Sequence, residues 1–336
     1  MRIAIDSSPL STGHALRGVG VYTKHLIDAL RQYEPGHTYT LFTQQQNVPK
    51  NIDLVHYPYF DPYFLTLPLI KEKPTIVTVH DLIPLVFPDK FPAGVRGYFK
   101  WRLQKLSLSG AKRIITDSIS SKNDVHKITG FEANNIDTIY LAPDPVFTVQ
   151  KIAGMTKPYI LFVGDVNWNK NVQGLLRAFA TTKDILLILV GGAFLNTALP
   201  ETREINRLAN ALGIEKRVTR AGHVSDKELA QLYSGAQALV QPSFYEGFGL
   251  PVLEAMACGC PVVSTKNSSL GEIAGPALSI TTDVDSIAAG IRKIRTVERR
   301  AQAQKQRIWC KQFTWKRVAA ETVASYEKTF NHHTGI

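Results

Sequence analysis

Two carboxylates, Glu246 and Glu254, flank a Gly-Phe-Gly-Leu-Pro run within residues 242–259, PSFYEGFGLPVLEAMACG. Ligand hydroxyls donate hydrogen bonds to carboxylates. The residues between the two acids suit an anionic group instead. Pro251 fits the first position of a helix, where its missing N–H goes unused. Val252 to Cys258 then reads as helix ending at Gly259, with Glu254 in its first turn. Amides of Gly247 to Leu250 at such a helix start attract anions. Acids beside an anion-binding cradle fit a ligand that carries hydroxyls and phosphate together, as a nucleotide sugar does. The competing reading is an ordinary helix N-terminus with dipole-favoured acids. The aromatic, the glycines and the proline between the two acids weigh against it.

Four other loops carry candidate chemistry. Gly164 to Asn171, GDVNWNKN, links a strand to a helix, and Lys170 at that helix start can neutralise a diphosphate. His80-Asp81 ends a strand, where a histidine can donate to a sugar hydroxyl or a developing charge; a satisfied core histidine is the alternative. Gly18-Val19-Gly20 opens a helix after the first strand, and glycines allow close approach to phosphate. It lacks the third glycine of a dinucleotide fingerprint, which argues against NAD. In Gly222-His223-Val224-Ser225-Asp226, Ser225 or Asp226 caps a helix, and the loop backbone near Val224 can also meet a nucleobase.

Alternating strands and helices must position these loops. Strands are predicted at Arg2–Asp6, near Tyr39, Leu54 and Ile136, and at Thr75–His80 and Arg113–Ser118. Helices are predicted over about 18–31 and 93–109. A Pro- and Gly-containing stretch, 142–158, reads as a linker. The alternation then restarts with Tyr159–Gly164, a near-continuous apolar ILLILV strand suited to a parallel sheet, QALVQPS, Pro261–Thr265 and ALSI. The fold class expected is α/β, with two doubly wound Rossmann-like domains facing a cleft: 1–150, then 158–310, with 311–336 returning as a helix to the first. Trp309, Phe313, Trp315 and Tyr326 are expected to pack inward.

The chain has 336 residues and 44% hydrophobic content, the profile of a soluble globular protein. Its start, MRIAIDSS, lacks the features of a secretory signal. No segment reaches the ~18 apolar residues of a membrane span. Three cysteines, Cys258, Cys260 and Cys310, suggest buried small residues in a reducing cytoplasm rather than a disulfide framework or metal site. The net charge of +11 is uneven: Lys90–Arg113 holds seven basic residues and no acid, and Arg292–Arg317 ten basic and one acid. Localised positive charge suggests an anionic partner such as phospholipid headgroups, a lipid-linked phosphate or nucleic acid. In the first segment, Arg96, Tyr98, Phe99, Lys100, Trp101, Arg102 and Lys105 share one helix. Two readings stay open for it: an interfacial helix on an anionic membrane, or a helix that packs Phe99 and Leu103 inward and solvates its basic face.

Taken together, GHVSDKELAQLYSGAQALVQPSFYEGFGLPVLEAMACGCPVVSTKNSSLGEIAG (222–275), the amino-terminal GVGVY, HDLIPLVFP after Val79 and FTW at Phe313 resemble the retaining family-4 glycosyltransferases of GT-B fold. The likeness covers nearly the whole chain.

The resemblance implies roles. Glu246 contacts hydroxyls of the donor sugar and Glu254 the ribose. Lys170, in the loop opened by Gly164, binds phosphate. Gly20 approaches the diphosphate, amides near Phe248, Gly249 and Leu250 meet sugar and phosphate, and Val224 lies near the base. His80 is the active-site histidine, acting with Glu246 in catalysis. Many members carry an arginine where this chain has Asp165 or Asn169, which places more of the phosphate clamp on Lys170. The implied reaction transfers a hexose, of mannose or glucose type, from a nucleotide-diphosphate sugar, GDP-mannose or a UDP-hexose, with retention. It needs no metal or other cofactor. The acceptor is a glycan or lipid-linked, in surface polysaccharide or glycolipid assembly at the inner face of a membrane. The alternatives are a nucleotide-sugar epimerase or phosphorylase of the same fold and, from another class, a nucleic-acid-binding protein. The last lacks any recognisable binding motif.

Overall fold

A computed structural model describes residues 1–11, 18–44, 46, 48–151 and 157–334. Part of the loop before Gly18 (12–17) and the middle of the linker (152–156) lie outside the described residues. The chain divides into two units, Met1–Ala142 with Phe313–Ile336, and Pro143–Gln312.

The first unit is built on six parallel strands: β1 Arg2–Asp6, β2 Thr38–Phe42, β3 Leu54–Tyr57, β4 Thr75–Thr78, β5 Arg113–Thr116 and β6 Ile136–Thr138. Their order across the sheet is β2-β1-β3-β4-β5-β6. Helices α1 Gly18–Tyr33, α2 Ile83–Val86, α3 Gly94–Ser109 and α4 Ile119–Thr129 connect them. β3, β4 and β5 are buried along their whole length, which is why they read as unbroken apolar runs. Ser118 caps α4 by accepting from the Ser121 amide at 3.0 Å. The carboxy-terminal helix α12, Trp315–Thr334, belongs to this unit. Trp315 lies against His25 on α1 at 5.0 Å between ring centroids, and the Tyr326 hydroxyl meets His56 Nδ1 on β3 at 2.7 Å.

The second unit has β7 Tyr159–Val163, β8 Leu186–Val190, β9 Val218–Gly222, β10 Ala238–Gln241, β11 Val262–Ser264 and β12 Leu278–Ser279, all parallel, in the order β12-β11-β10-β7-β8-β9. Counted within the unit this is 3-2-1-4-5-6 read from β9, the Rossmann order. Its helices are α5 Val172–Ala180, α6 Pro200–Ala211, α7 Asp226–Gly235, α8 Leu250–Ala257, α9 Leu270–Ile273, α10 Val284–Ile294 and α11 Arg299–Cys310. Residues 143–150 cluster with this unit because Phe147 packs edge-on to Tyr233 and the Gln150 amide donates to Ser234 Oγ at 2.9 Å. Its three cysteines are free and buried. Among the described residues, no helix is long and apolar enough to cross a membrane.

Candidate active site

In a Rossmann sheet, ligands bind beyond the carboxyl ends of the strands where the strand order reverses. In the second unit that point lies between β7 and β10. The loop after β7 carries Gly164 and Lys170, and the loop after β10 carries Glu246, Phe248 and Gly249. The two loops are stitched together. Asn169 Nδ2 donates to the Tyr245 carbonyl at 2.9 Å, and the Phe244 amide donates to the Asn169 carbonyl at 2.8 Å. Trp168 stacks on Phe244 with 4.8 Å between centroids. Asn171, in the left-handed region at φ 53°, donates from Nδ2 to the carbonyls of Pro242 and Thr282. Asn169, where many relatives of this type were expected to carry arginine, is thus a buried tether between the loops, whereas Asp165 is exposed.

Lys170 Nζ lies 2.6 Å from Glu246 Oε2. Glu246 is 4% exposed, and its other oxygen accepts from Gln241 Nε2 at 3.0 Å and Ser243 Oγ at 2.8 Å. Its amide donates to Ser268 Oγ, and Ser269 Oγ donates to the carbonyls of both Glu246 and Phe248. Phe248 is itself buried. A buried charge needs this density of partners. Three fixed donors on a carboxylate oxygen pair also fix its direction, so Glu246 is a rigid acceptor.

Gly249 is the N-cap of α8 at φ 105°, a conformation that favours glycine. Leu250 opens the helix, one residue before Pro251, where it was expected to start. Glu254 therefore lies in the second turn, not the first. It accepts from the Tyr233 hydroxyl at 2.9 Å. Burial pushes the Glu254 carboxyl up to about 7; the Tyr233 hydrogen bond opposes this, while the charges of Asp226 and Asp144 add to it. Val224 is half-buried ahead of α7, whose N-cap Ser225 forms a capping box with Glu228. A Cβ on Gly191, at the end of β8, would stand 2.0 Å from the Gly164 carbonyl, so only glycine lets β8 approach the Lys170 loop.

The first unit carries the remaining two candidates. Gly20 is buried in the first turn of α1. His80 follows β4, and Asp117 follows the neighbouring strand β5, so parallel pairing brings them together. His80 Nδ1 lies 2.6 Å from Asp117 Oδ2 and Nε2 3.2 Å from the Pro58 carbonyl. Both partners are acceptors, so both ring nitrogens can donate when the imidazole is protonated. Tyr22 packs edge-on to the ring at 4.7 Å. Burial pulls the His80 pKa down, but the charge and hydrogen bond of Asp117, with Asp81 and the Pro58 carbonyl, outweigh it and leave it raised. Beneath it, His56 bridges Tyr326 and Thr78, and burial holds it near 3, a neutral core histidine.

Sequence reading missed Gln241, Ser243, Ser268, Ser269, Tyr233 and Asp117. Ser243 and Asp117 follow strand ends, a signal available in the sequence. The two serines after β11 and Tyr233 on α7 reach the site only through the fold.

Residues 147–308 match the family described as Glycosyl transferases group 1, and residues 45–146 match Glycosyltransferase Family 4. The O-antigen chain mannosyltransferase B of Escherichia coli is 32% identical over 82% of this chain and 75% of its own length. The MMP alpha-(1->4)-mannosyltransferase of Mycolicibacterium hassiacum is also 32% identical, over 69% of this chain and 58% of its own length. In fold, a sucrose-phosphate synthase from Thermosynechococcus elongatus is similar at TM-score 0.78 and 20% identity, covering 99% of this chain and all of its own. HepE of Anabaena, in complex with UDP and glucose, is similar at TM-score 0.74 and 18% identity over 97% and 99% of the two chains. Two Rossmann-like units and these likenesses define a glycosyltransferase of the GT-B fold. The chain belongs to glycosyltransferase family 4.

Proposed function

We propose that the chain transfers a hexose, of mannose type, from a nucleotide-diphosphate sugar to a glycan or lipid-linked acceptor in surface polysaccharide or glycolipid assembly. The reaction proceeds with retention of anomeric configuration and without a metal ion. The observation that carries this reading is the Lys170–Glu246 contact at the switch point of the second sheet: a cation suited to diphosphate and an acid suited to sugar hydroxyls, 2.6 Å apart. The mannosyltransferase names of the relatives support the sugar, and the UDP and glucose bound by HepE support the donor class.

In this reading Lys170 and the N-terminal end of α8 stabilise the departing diphosphate. Glu246 Oε2, the oxygen on which Lys170 is the neighbour, accepts from sugar hydroxyls. Glu254 accepts from ribose hydroxyls. Gly20, Gly164 and Val224 contribute close backbone approach, and Phe248 to Leu250 the amides. The leaving phosphate takes the acceptor proton in a front-face displacement, with no protein nucleophile. His80, held by Asp117 and the Pro58 carbonyl, is the active-site histidine of this reading, with no proton transfer assigned to it.

A panel of GDP- and UDP-sugars, assayed for nucleotide release with the wild type and Glu246→Ala, tests the assignment. Release from one donor that Glu246→Ala abolishes supports it; equal turnover by both proteins removes Glu246 from the mechanism. NMR of the product separates retention from inversion, and activity in excess chelator tests metal independence.

A further inference from the structure

Helix α3 is oriented against its own apolar pattern. Its inward side carries Gly97, Gln104, Ser107 and Leu108, so three of the four fully buried residues are small or polar. Val95, Phe99, Leu103 and Leu106 fall within about 80° of one another around a helix with 3.6 residues per turn, and all four are exposed. Phe99 is 64% exposed and Val95 75%. Phe99 and Leu103 are therefore not core residues.

The loop before β4 extends this surface. Phe64, Leu65, Leu69 and Ile70 are all exposed, Ile70 at 82%. Three contacts lock that loop beside α3. Lys100 Nζ sits 5.1 Å over the Phe64 ring, the Thr66 amide donates to Gln104 Oε1 at 3.0 Å, and Lys71 Nζ donates to the carbonyls of Pro68 and Ser107. With Tyr98 these segments hold nine of the fifteen exposed large apolar side chains among the described residues. Scattered exposed leucines need no explanation, but a concentration of this kind marks an interaction surface.

Charge selects the occupant. Helical geometry places Arg96 and Lys100 on one flank of the apolar stripe and Arg102 and Lys105 on the other, and no acid occurs between Lys90 and Arg113. A second copy of the chain packed across a two-fold axis would set these cations against themselves. An anionic bilayer offers both complements, headgroup phosphates for the flanks and acyl chains for the stripe. We propose that α3 and the 64–70 loop form a surface that seats the chain on anionic lipid bilayers. The inference rests on the exposure and charge of the first unit and is independent of the transferase reading.

The test is sedimentation of the full chain with vesicles of phosphatidylcholine alone or with added phosphatidylglycerol, at low and high salt. Binding is expected only to the anionic vesicles and to weaken with salt. Phe99→Ser/Leu106→Ser is expected to weaken it more than about tenfold, and Arg96→Gln/Arg102→Gln about tenfold or more. Thermal melting confirms that each variant is folded. Absence of binding to anionic vesicles, or binding that neither folded variant changes, overturns the proposal. Dimerisation of the wild type that Phe99→Ser/Leu106→Ser abolishes, without vesicle binding, assigns the surface to self-association instead.

Discussion

Lys170 Nζ and Glu246 Oε2 meet at 2.6 Å from loops 76 residues apart in the chain. The pair joins the two strands that flank the switch point of the second sheet. Two residues proposed to grip different parts of a donor thus grip each other, and donor binding must share or exchange this contact. Removing one partner of such a pair leaves a buried charge uncompensated.

Lys170→Met is therefore expected to lower stability by about 1–3 kcal/mol, less than a fully buried pair because Lys170 is partly exposed. It should also lower turnover about 100-fold or more. Adding Glu246→Gln removes the stranded charge and should restore melting temperature without restoring turnover. Recovery of both would show the pair to be purely structural.

His80 and Asp117 give a pH dependence of known sign. The folded pKa of His80 is raised above its ordinary 6.5, so the stability it confers is fully present below that value. It is lost as pH rises through the raised value. Asp117→Asn should therefore cost most near pH 5–6, about 1–3 kcal/mol, and less at pH 9. Melting curves across that range would show the difference narrowing; a constant difference would mean His80 is neutral throughout.

Glu254 also makes stability fall as pH rises, but through burial of its own charge rather than through a gained partner. Between its ordinary 4.5 and about 7, the folded chain holds a proton that the unfolded chain has shed, so stability falls as pH rises through that window. Glu254→Gln should stabilise by roughly 1–3 kcal/mol at pH 8 and be neutral at pH 4, after allowance for partial exposure. If the carboxylate receives ribose hydroxyls, the donor KM of the wild type should fall as pH rises through about 7. The glutamine variant should show a flat profile.

Gly191→Ala would put a methyl group 2.0 Å from the Gly164 carbonyl, with backbone rather than a flexible side chain in the way. It should cost at least about 1–3 kcal/mol and displace the loop that carries Lys170. Donor KM should rise in a variant that still melts cooperatively. An unchanged KM would separate the Gly164 loop from donor binding.

Period and punctuation in the sequence determined most of the architecture. Alternating apolar runs gave both sets of strands, and Ser225 marked a helix start by its local hydrogen-bonding chemistry. The two motifs, one carrying Glu246 and Glu254 and the other Lys170, were legible because strand-to-helix loops have characteristic composition. Tertiary structure decided what these residues touch. Ser268, Ser269 and Tyr233 reach the acids, and Asp117 reaches His80, through parallel pairing and helix packing that no local spacing encodes. The same holds for α3: its sequence is compatible with Phe99 facing in or out, because apolar and basic residues alternate around much of the helix. Only the fit of Gly97, Gln104 and Ser107 against the rest of the unit turned Phe99 outward. Local sequence sets which conformations a segment can adopt, whereas burial against distant segments chooses the face.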